Sequence, residues 1–222
     1  MGEVLKTVPS VKLDWQTTEE AVAYRASRTA EKFKRFHRED TILAEWMGDL
    51  PPGSIILDSP CGAGRWIPFL TSHKYRYIGG DVSEAMLGQA RVDLTAGRGD
   101  SLVNLDAEHL PFADESVDCV IIWRFLHHLA TPEARVQILR EAARVTRRKV
   151  ILSFHHPLSL TYLRKLADRI LIKKSGRGRP VSHWRLRREA DKCGLNLLET
   201  KSFRKFVSIN WFACLEKRKV TQ

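Results

Sequence analysis

Long apolar runs are absent from this sequence: none approaches the ~18 residues that a membrane-spanning helix requires. The N-terminus also lacks the charged start, apolar middle and small-residue end of a secretory leader. Cysteine is scarce, and no CxxC pair occurs. The four cysteines are Cys61, Cys119, Cys193 and Cys214. Free thiols in a reducing, cytoplasmic compartment are therefore expected, and a structural zinc site has little support.

Acidic residues are outnumbered by basic ones. The 222 residues include 37 Lys and Arg against 26 Asp and Glu, which gives a net charge of +11. Such an excess indicates an anionic partner, and nucleic acid, a membrane surface or an acidic substrate would each satisfy it. The apolar fraction of 43% and the charged fraction of 28% are ordinary for a soluble globular protein with one domain, or one domain and a small lid.

The most informative stretch is residues 54–66. A short apolar run ends at Asp58, a turn containing Gly62 and Gly64 follows, and a helical pattern begins after it. This pattern predicts a buried strand that leads through a tight turn into a helix, whose first N–H groups suit a ligand carboxylate or phosphate. Simple packing is the less favoured alternative explanation of such a turn. The glycines lack the GxGxxG spacing of a nicotinamide site.

Three later segments strengthen the prediction of a binding site. Residues 75–83 predict a second strand that ends at Asp81, ~20 residues beyond the glycine turn, with Ser83 as the cap of the next helix. Residues 104–112 read NLDAEHLPF, and residues 117–129 read VDCVIIWRFLHHL. The second of these predicts a strand over 117–123, and two adjacent histidines follow it.

These motifs, in this order, resemble the class I S-adenosylmethionine (SAM)-dependent methyltransferases, and most of all the group that includes the ubiquinone and menaquinone biosynthesis enzymes. The usual family pattern reads LDxGCGTGR, GxDxSxxML, DAxxLPFxDxSFD and LHHL. The resemblance covers about residues 55–156 and departs from the pattern at Pro60, which stands where the family has the first glycine of the turn. Proline fixes one backbone angle there and removes an N–H. The resemblance implies SAM as cofactor and S-adenosylhomocysteine as product.

Strands alternate with helices along the chain, which favours an α/β fold with a mostly parallel sheet. The resemblance implies a doubly wound, Rossmann-like sheet of seven strands with an antiparallel C-terminal edge and an N-terminal helical cap. We predict the cap over residues 1–50, with helices over about 19–37 and 40–50. The methyltransferase domain is predicted over 51–222, with a basic insertion at about 157–188.

The resemblance places cofactor contacts at the predicted strand ends. In the family, an acid at Asp58 holds the amino group of SAM, Asp81 accepts hydrogen bonds from both ribose hydroxyls, and Asp106 with Ala107 contacts the adenine. The predicted cofactor-binding residues are Asp58, Pro60, Gly62, Gly64, Arg65, Asp81, Val82, Met86, Asp106, Ala107 and Trp123. Plainer alternatives are helix capping for Asp81, a loop acid for Asp106, and core packing for the methionine and tryptophan.

Two histidine pairs, residues 127–128 and 155–156, follow the fourth and fifth predicted strands. Ligands bind beyond the carboxyl ends of parallel strands, and histidine suits a general base at neutral pH. We therefore predict His128 and His155 as the catalytic residues. Methyl transfer from a sulfonium can also proceed by positioning and desolvation, so structural histidines and no strict base remain the alternative. No metal site is predicted, because adjacent residues of a strand point to opposite faces.

The predicted activity is methyl transfer to a small or lipid-like acceptor, with an anionic or membrane-borne one favoured. Residues 164–188 hold ten basic residues and one acid, and apolar side chains accompany them, so peripheral contact with an anionic membrane is expected. RNA is the disfavoured alternative, because no N/D-PP-Y/F/W tetrapeptide occurs at 123–126. A solvated basic face is a further alternative. A non-catalytic scaffold of the same fold would not need Asp58, Asp81 and Asp106 together.

Overall fold

The computed structural model describes residues 17–26, 33–94, 100–129, 131–160, 162–164, 179–203 and 207–218. Its strands are β1 (Ile55–Asp58), β2 (Arg76–Asp81), β3 (Ser101–Asn104), β4 (Val117–Ile122), β5 (Thr146–His155), β6 (Leu195–Ser202) and β7 (Asn210–Lys217). Its helices are α1 (Thr18–Ala26), α2 (Phe33–Met47), α3 (Ile67–Ser72), α4 (Glu84–Ala90), α5 (Pro132–Val145) and α6 (His183–Asp191). None of the helices in the described ranges is long and apolar enough to cross a membrane.

The described strands form one seven-stranded sheet in the order β3-β2-β1-β4-β5-β7-β6. The pairs from β3 to β5 are parallel, whereas β7 pairs antiparallel with both β5 and β6. The predicted parallel sheet with an antiparallel C-terminal edge is confirmed. The strand order reverses between β1 and β4, and the crevice at such a reversal is where doubly wound folds bind ligands.

Helices cover both faces of the sheet, because its central strands are apolar on both sides. On one face, Ile138 and Leu139 of α5 and Leu186 of α6 pack with Val120 and other sheet residues. On the other face, α2, α3 and α4 pack over the sheet, and Ile56 lies in that second core. The predicted doubly wound arrangement is therefore confirmed.

The prediction for the leading helices is partly wrong. We expected one helix to end near residue 37 and another to begin at Asp40, whereas α2 continues without a break from Phe33 to Met47. The predicted boundary left Glu39 between the two helices. The side chain of Glu39 is instead fully buried, so this acid belongs to the inner face of the helix. Much of the predicted basic insertion at about 157–188 lies outside the described residues, namely residues 161 and 165–178.

Candidate cofactor and acceptor site

The turn after β1 is anchored by backbone hydrogen bonds on both sides. Ser59 N donates to Ile121 O of β4 at 3.0 Å, and Cys61 N donates to Gly80 O of β2 at 2.8 Å. The peptide bond between Ser59 and Pro60 is cis. The turn is therefore held against both strands that flank β1, at the point where the strand order reverses.

The two glycines of this turn face different surroundings. Both have positive φ, +54° at Gly62 and +69° at Gly64. A Cβ added to Gly64 would lie 2.4 Å from Ile67 Cδ1 and 2.9 Å from Ala90 Cβ, so Gly64 lets the turn pack against the helices behind it. A Cβ added to Gly62 would meet nothing within 4 Å. The space in front of Gly62 is therefore open, which suits a ligand that lies against the backbone.

Asp81 ends β2 beside the glycine turn, and two backbone groups fix its carboxylate. Its Oδ2 accepts from Gly62 N at 2.8 Å and its Oδ1 from Ser83 N at 2.9 Å. Burial raises the pKa of the Asp81 carboxyl above its usual value, and the N–H donors act in the opposite direction. The side chain of Ser83 caps α4 through Met86 N, as predicted, so the carboxylate of Asp81 does not serve as that cap.

Asp58 ends β1 and lies within the same corner of the molecule. It is 1% exposed, and its Oδ2 accepts from the hydroxyl of Tyr77 at 3.2 Å. Burial and the nearby Asp58 raise the pKa of Tyr77 well above its usual value, which keeps this hydroxyl protonated and able to donate. Burial, Asp58 and Asp81 likewise raise the pKa of the Cys61 thiol. Two carboxylates thus give this corner a negative potential, which favours a cationic group.

Asp106 lies in a short turn beyond β3. Its Oδ1 accepts from Glu108 N at 2.9 Å, and its Oδ2 lies 3.6 Å from Nδ1 of His109. The side chain is 37% exposed, so it remains accessible to a ligand. Ala107 packs at the edge of the core beside it. The local hydrogen bonds fix the carboxylate, as the loop alternative requires, and leave the ligand role of Asp106 a prediction.

Two contacts bring this turn to the end of β2. Leu105 N donates to Asp81 O at 3.1 Å, and the side-chain amide of Asn104 donates to Val82 O at 3.0 Å. The side chain of Val82 is exposed. The structure therefore gathers the predicted residues Asp58, Asp81, Val82 and Asp106 along the carboxyl edge of three neighbouring strands.

Two other predicted cofactor residues occupy core positions. Met86 is buried in a small cluster with Ala21 of α1 and Ala63 of the glycine turn. Trp123 is 7% exposed, and its ring packs edge-on to Trp66 and stacks on Phe212, each at 4.9 Å. Both side chains pack in the core, so their contacts fit the core alternative.

Glu39 is a residue of this region that the sequence did not reveal. Its carboxylate on α2 lies 3.0 Å from Arg65 Nη2 and 2.9 Å from Arg124 Nη2, and it accepts from Trp123 Nε1 at 3.2 Å. The predicted cofactor residue Arg65 is therefore engaged with α2, including an ion pair to Asp40 at 3.1 Å. Helical spacing was the available signal, because Glu39 stands four residues before the buried Leu43 on the same face.

The histidines after β4 and β5 form a stacked group. The ring of His127 lies 3.7 Å from that of His155, at an interplanar angle of 16°, and 4.2 Å from that of His128. The predicted catalytic residues His128 and His155 are therefore joined through His127. Arg179 N donates to His127 O and Val181 N to His155 O, so the chain before α6 borders this group.

His156 points away from the stacked group. Its side chain is buried, its Nε2 lies 3.1 Å from His183 Nδ1, and its ring stacks on Trp211 at 4.4 Å. Burial and the neighbouring His183 lower the pKa of His156. The adjacent His155, which ends β5, and His156, which follows it, thus contact different partners, His127 and His183 respectively. Within the described ranges, no three His, Cys, Asp or Glu side chains are placed to hold a metal ion.

Comparisons with known proteins extend these observations. The methyltransferase domain family matches residues 56–149 of the chain. A tRNA (carboxymethyluridine(34)-5-O)-methyltransferase from Arabidopsis thaliana is 31% identical over 117 residues, which are 50% of this chain and 27% of that protein. A demethylmenaquinone methyltransferase from Thermobifida fusca is 32% identical over 125 residues, which are 55% of this chain and 52% of that protein. The chain thus spans only part of the length of both relatives.

The fold has counterparts among solved structures. The magnesium protoporphyrin IX methyltransferase from Synechocystis PCC 6803 with bound S-adenosylhomocysteine aligns with a TM-score of 0.67 at 21% identity. The alignment covers 88% of this chain and 99% of that one. At this identity the likeness is one of fold.

Proposed function

The chain belongs to the class I SAM-dependent methyltransferases, and from this premise we propose that it transfers the methyl group of SAM to a small or lipid-like acceptor. One observation carries the proposal: the Asp81 carboxylate is fixed by Gly62 N and Ser83 N beside a glycine turn with open space in front of it. A carboxylate so oriented suits two neighbouring hydroxyl groups, and a ribose offers such a pair.

Three carboxylates would hold the cofactor. Asp81 would accept from the ribose hydroxyls, Asp58 would face the ammonium group, and Asp106 would face the adenine amine. When bound, SAM supplies an electrophilic methyl group on a positively charged sulfur. The buried carboxylates at this corner favour such a positive charge, because their interaction with it is only weakly screened by water.

The acceptor would enter over β4 and β5, where the ring of His127 stacks on that of His155 and lies beside that of His128. A neutral imidazole there would take the proton that the acceptor atom loses as its bond to the methyl carbon forms. His128 and His155 are the proposed bases. Orientation of the acceptor against the cofactor corner would supply much of the remaining rate acceleration.

Calorimetry with SAM and with S-adenosylhomocysteine tests this proposal. Both ligands should bind, and Asp81→Asn should weaken both by roughly 10- to 150-fold, because one charge-assisted contact is lost. Asp114→Asn is the matched control, since Asp114 is exposed and ion-paired to Arg144 away from the turn. Absence of binding by the folded wild type, or equal losses in the two variants, would contradict the proposal.

RNA is the second candidate acceptor, and two observations favour it. The relative from Arabidopsis thaliana is named as a tRNA methyltransferase, and the chain carries a net charge of +11. The shared region is 27% of that protein, and Trp123 begins a WRFL sequence that departs from the tetrapeptide for transfer to a base amino group. Transfer of labelled methyl groups from SAM to separate tRNA and lipid fractions distinguishes the two acceptors.

A further inference from the structure

An apolar and basic surface borders the ends of β4 and β5. Residues 158–160 and 162–164 and the outer side of α6 form it in the described part of the chain. Four large apolar side chains project from it into solvent: Leu158 is 62% exposed, Leu160 62%, Leu163 53% and Trp184 66%. We call these four residues the apolar rim. Single exposed apolar residues are ordinary on a protein surface, whereas four in two adjoining segments mark an interaction site.

The two parts of the apolar rim meet at one pair of histidines. His156 Nε2 lies 3.1 Å from His183 Nδ1. Leu158 N donates to His156 Nδ1 at 3.2 Å, and the ring of His183 lies 4.5 Å from that of Trp184. The leucine segment and the first turn of α6 therefore flank the same buried contact and form one continuous surface.

Positive charge surrounds the apolar rim. The exposed arginines of the two segments are Arg164, Arg185, Arg187 and Arg188, and the exposed Arg179 lies just before α6. In the described parts of residues 156–190 the one acid is Glu189, which is buried and ion-paired to Arg135 at 2.7 Å. Trp184 and Arg188 are four residues apart on the outer face of α6, so apolar and cationic groups lie side by side.

We propose that this surface docks the protein onto an anionic lipid bilayer. The apolar rim would lie among the lipid headgroups and the upper acyl chains, with the indole of Trp184 at the interface. The exposed arginines would contact lipid phosphates, which attract basic residues within a Debye length of the membrane. Helical segments with one apolar and one basic side lie on membranes in this way.

The leucines favour a bilayer over RNA. A nucleic acid surface would engage the arginines through its phosphates and Trp184 through base stacking. It would leave Leu158, Leu160 and Leu163 without apolar surface to contact. A bilayer accommodates the arginines, the indole and the leucines together, so all features of the surface have a role in this interpretation.

The position of the surface suggests what docking achieves. Arg179 N and Val181 N donate to the carbonyl groups of His127 and His155, so the docked face adjoins the stacked histidines. An amphipathic acceptor held in the bilayer would thus lie next to the strand ends. This consequence rests on the proposed methyl transfer, whereas docking itself does not require it.

Sedimentation of the full chain with lipid vesicles tests the proposal. The protein should bind vesicles of phosphatidylglycerol and not vesicles of phosphatidylcholine, and added salt should weaken the binding. The double variant Leu158→Asp/Leu160→Asp should bind phosphatidylglycerol vesicles at least about tenfold more weakly, because two apolar contacts are lost. Trp184→Ala should also weaken binding.

The matched control is Leu198→Asp/Val92→Asp, which alters two exposed apolar residues outside the rim and should leave vesicle binding unchanged. SAM binding, measured by calorimetry, should be unaffected in the rim variants, so failure of docking and failure of the methyltransferase assignment give different results. Equal vesicle binding by the wild type and the leucine variant would overturn the proposal. So would loss of tRNA binding on Trp184→Ala without vesicle binding by the wild type, because the surface would then bind nucleic acid.

Discussion

The two glycines of the turn after β1, Gly62 and Gly64, have different structural roles. At Gly64 both the positive φ and the neighbouring Ile67 and Ala90 side chains exclude a Cβ. At Gly62 only the backbone conformation disfavours one, because the space beyond it is open. Gly62 thus faces the proposed cofactor, and Gly64 faces the core.

We expect Gly62→Ala and Gly64→Ala to separate binding from folding. A non-glycine residue at positive φ costs about 1–2 kcal/mol at either position. Gly64→Ala should lose about 1–3 kcal/mol more through overpacking against Ile67 and Ala90. Gly62→Ala should lose only this modest amount of stability. It should instead weaken SAM binding, because the added methyl group enters the open space in front of the turn. Denaturant unfolding and calorimetry measure the two effects, and equal destabilisation by both changes would contradict this assignment.

The sequence alone could place individual site residues only where a strand end and a turn left a recognisable pattern. Asp58 and Asp81 close apolar runs, and the structure brings both to the same edge of the sheet. The sequence could not reveal that the side chain of Arg65 contacts Glu39. The two residues are 26 positions apart, and the packing of α2 brings them together. The histidine stack is likewise a product of strand adjacency, which no local pattern records.

At the scale of the elements, helix α2 contacts the site through one buried carboxylate, that of Glu39. Glu39 contacts Arg65 beside the glycine turn and Arg124 after β4, so a single side chain links the helix to both sides of the strand-order reversal. Arg124 itself adopts a positive φ of 56°, which is uncommon for a residue with a side chain. The position of α2 over the sheet therefore depends on a charge cluster as well as on apolar packing.

Glu39→Ala should destabilise the protein by about 3–5 kcal/mol, because it removes a buried carboxylate that contacts Arg65, Arg124 and the indole of Trp123 at once. Glu39→Gln should keep the shape and part of the hydrogen bonding and lose less. The control is Glu45→Ala on the same helix, whose carboxylate pairs with Lys201 at the surface and should contribute at most about 1 kcal/mol. Urea unfolding measures all three, and similar losses for Glu39→Ala and Glu45→Ala would show that the buried cluster does not hold α2.

Strands were the more predictable elements, and the leading helices the less predictable ones. The short apolar runs of β1 and β4 are buried on both faces, so composition alone identifies them. The continuity of α2 depends on a buried acid, and a polar residue in a sequence ordinarily predicts exposure. The physical reason for the wrong helix boundary is thus a long-range ion pair that overrides the local pattern.

At the scale of the whole molecule, the strand-order reversal divides the site into two halves of opposite character. Asp58 and Asp81 make the β1–β2 side acidic, whereas the β4–β5 side carries stacked histidines and adjoins exposed arginines. A cationic cofactor and an anionic or membrane-borne acceptor would each meet the half that complements its charge. The positive charge that gives the net value of +11 is therefore distributed unevenly over the molecule.

The buried contact between His156 and His183 gives the stability of the whole molecule a predictable dependence on pH. Burial, followed by the effect of His183, lowers the pKa of His156 below its ordinary value of 6.5. The unfolded chain then binds this proton more readily than the folded chain does. The contribution to stability is therefore complete above about pH 6.5 and is lost as the pH falls toward the folded-state pKa.

Unfolding midpoints measured between pH 7 and pH 5 should accordingly fall with acidity, and His156→Asn should reduce that fall while keeping an acceptor for Leu158 N. His37→Gln is the control, because it removes an exposed imidazole from another part of the molecule. Since His156 underlies the surface formed by Leu158 and Trp184, protonation should also loosen that surface before the sheet unfolds. If the unfolding midpoint of His156→Asn fell with acidity as steeply as that of the wild type, a group other than His156 would be responsible for the pH dependence.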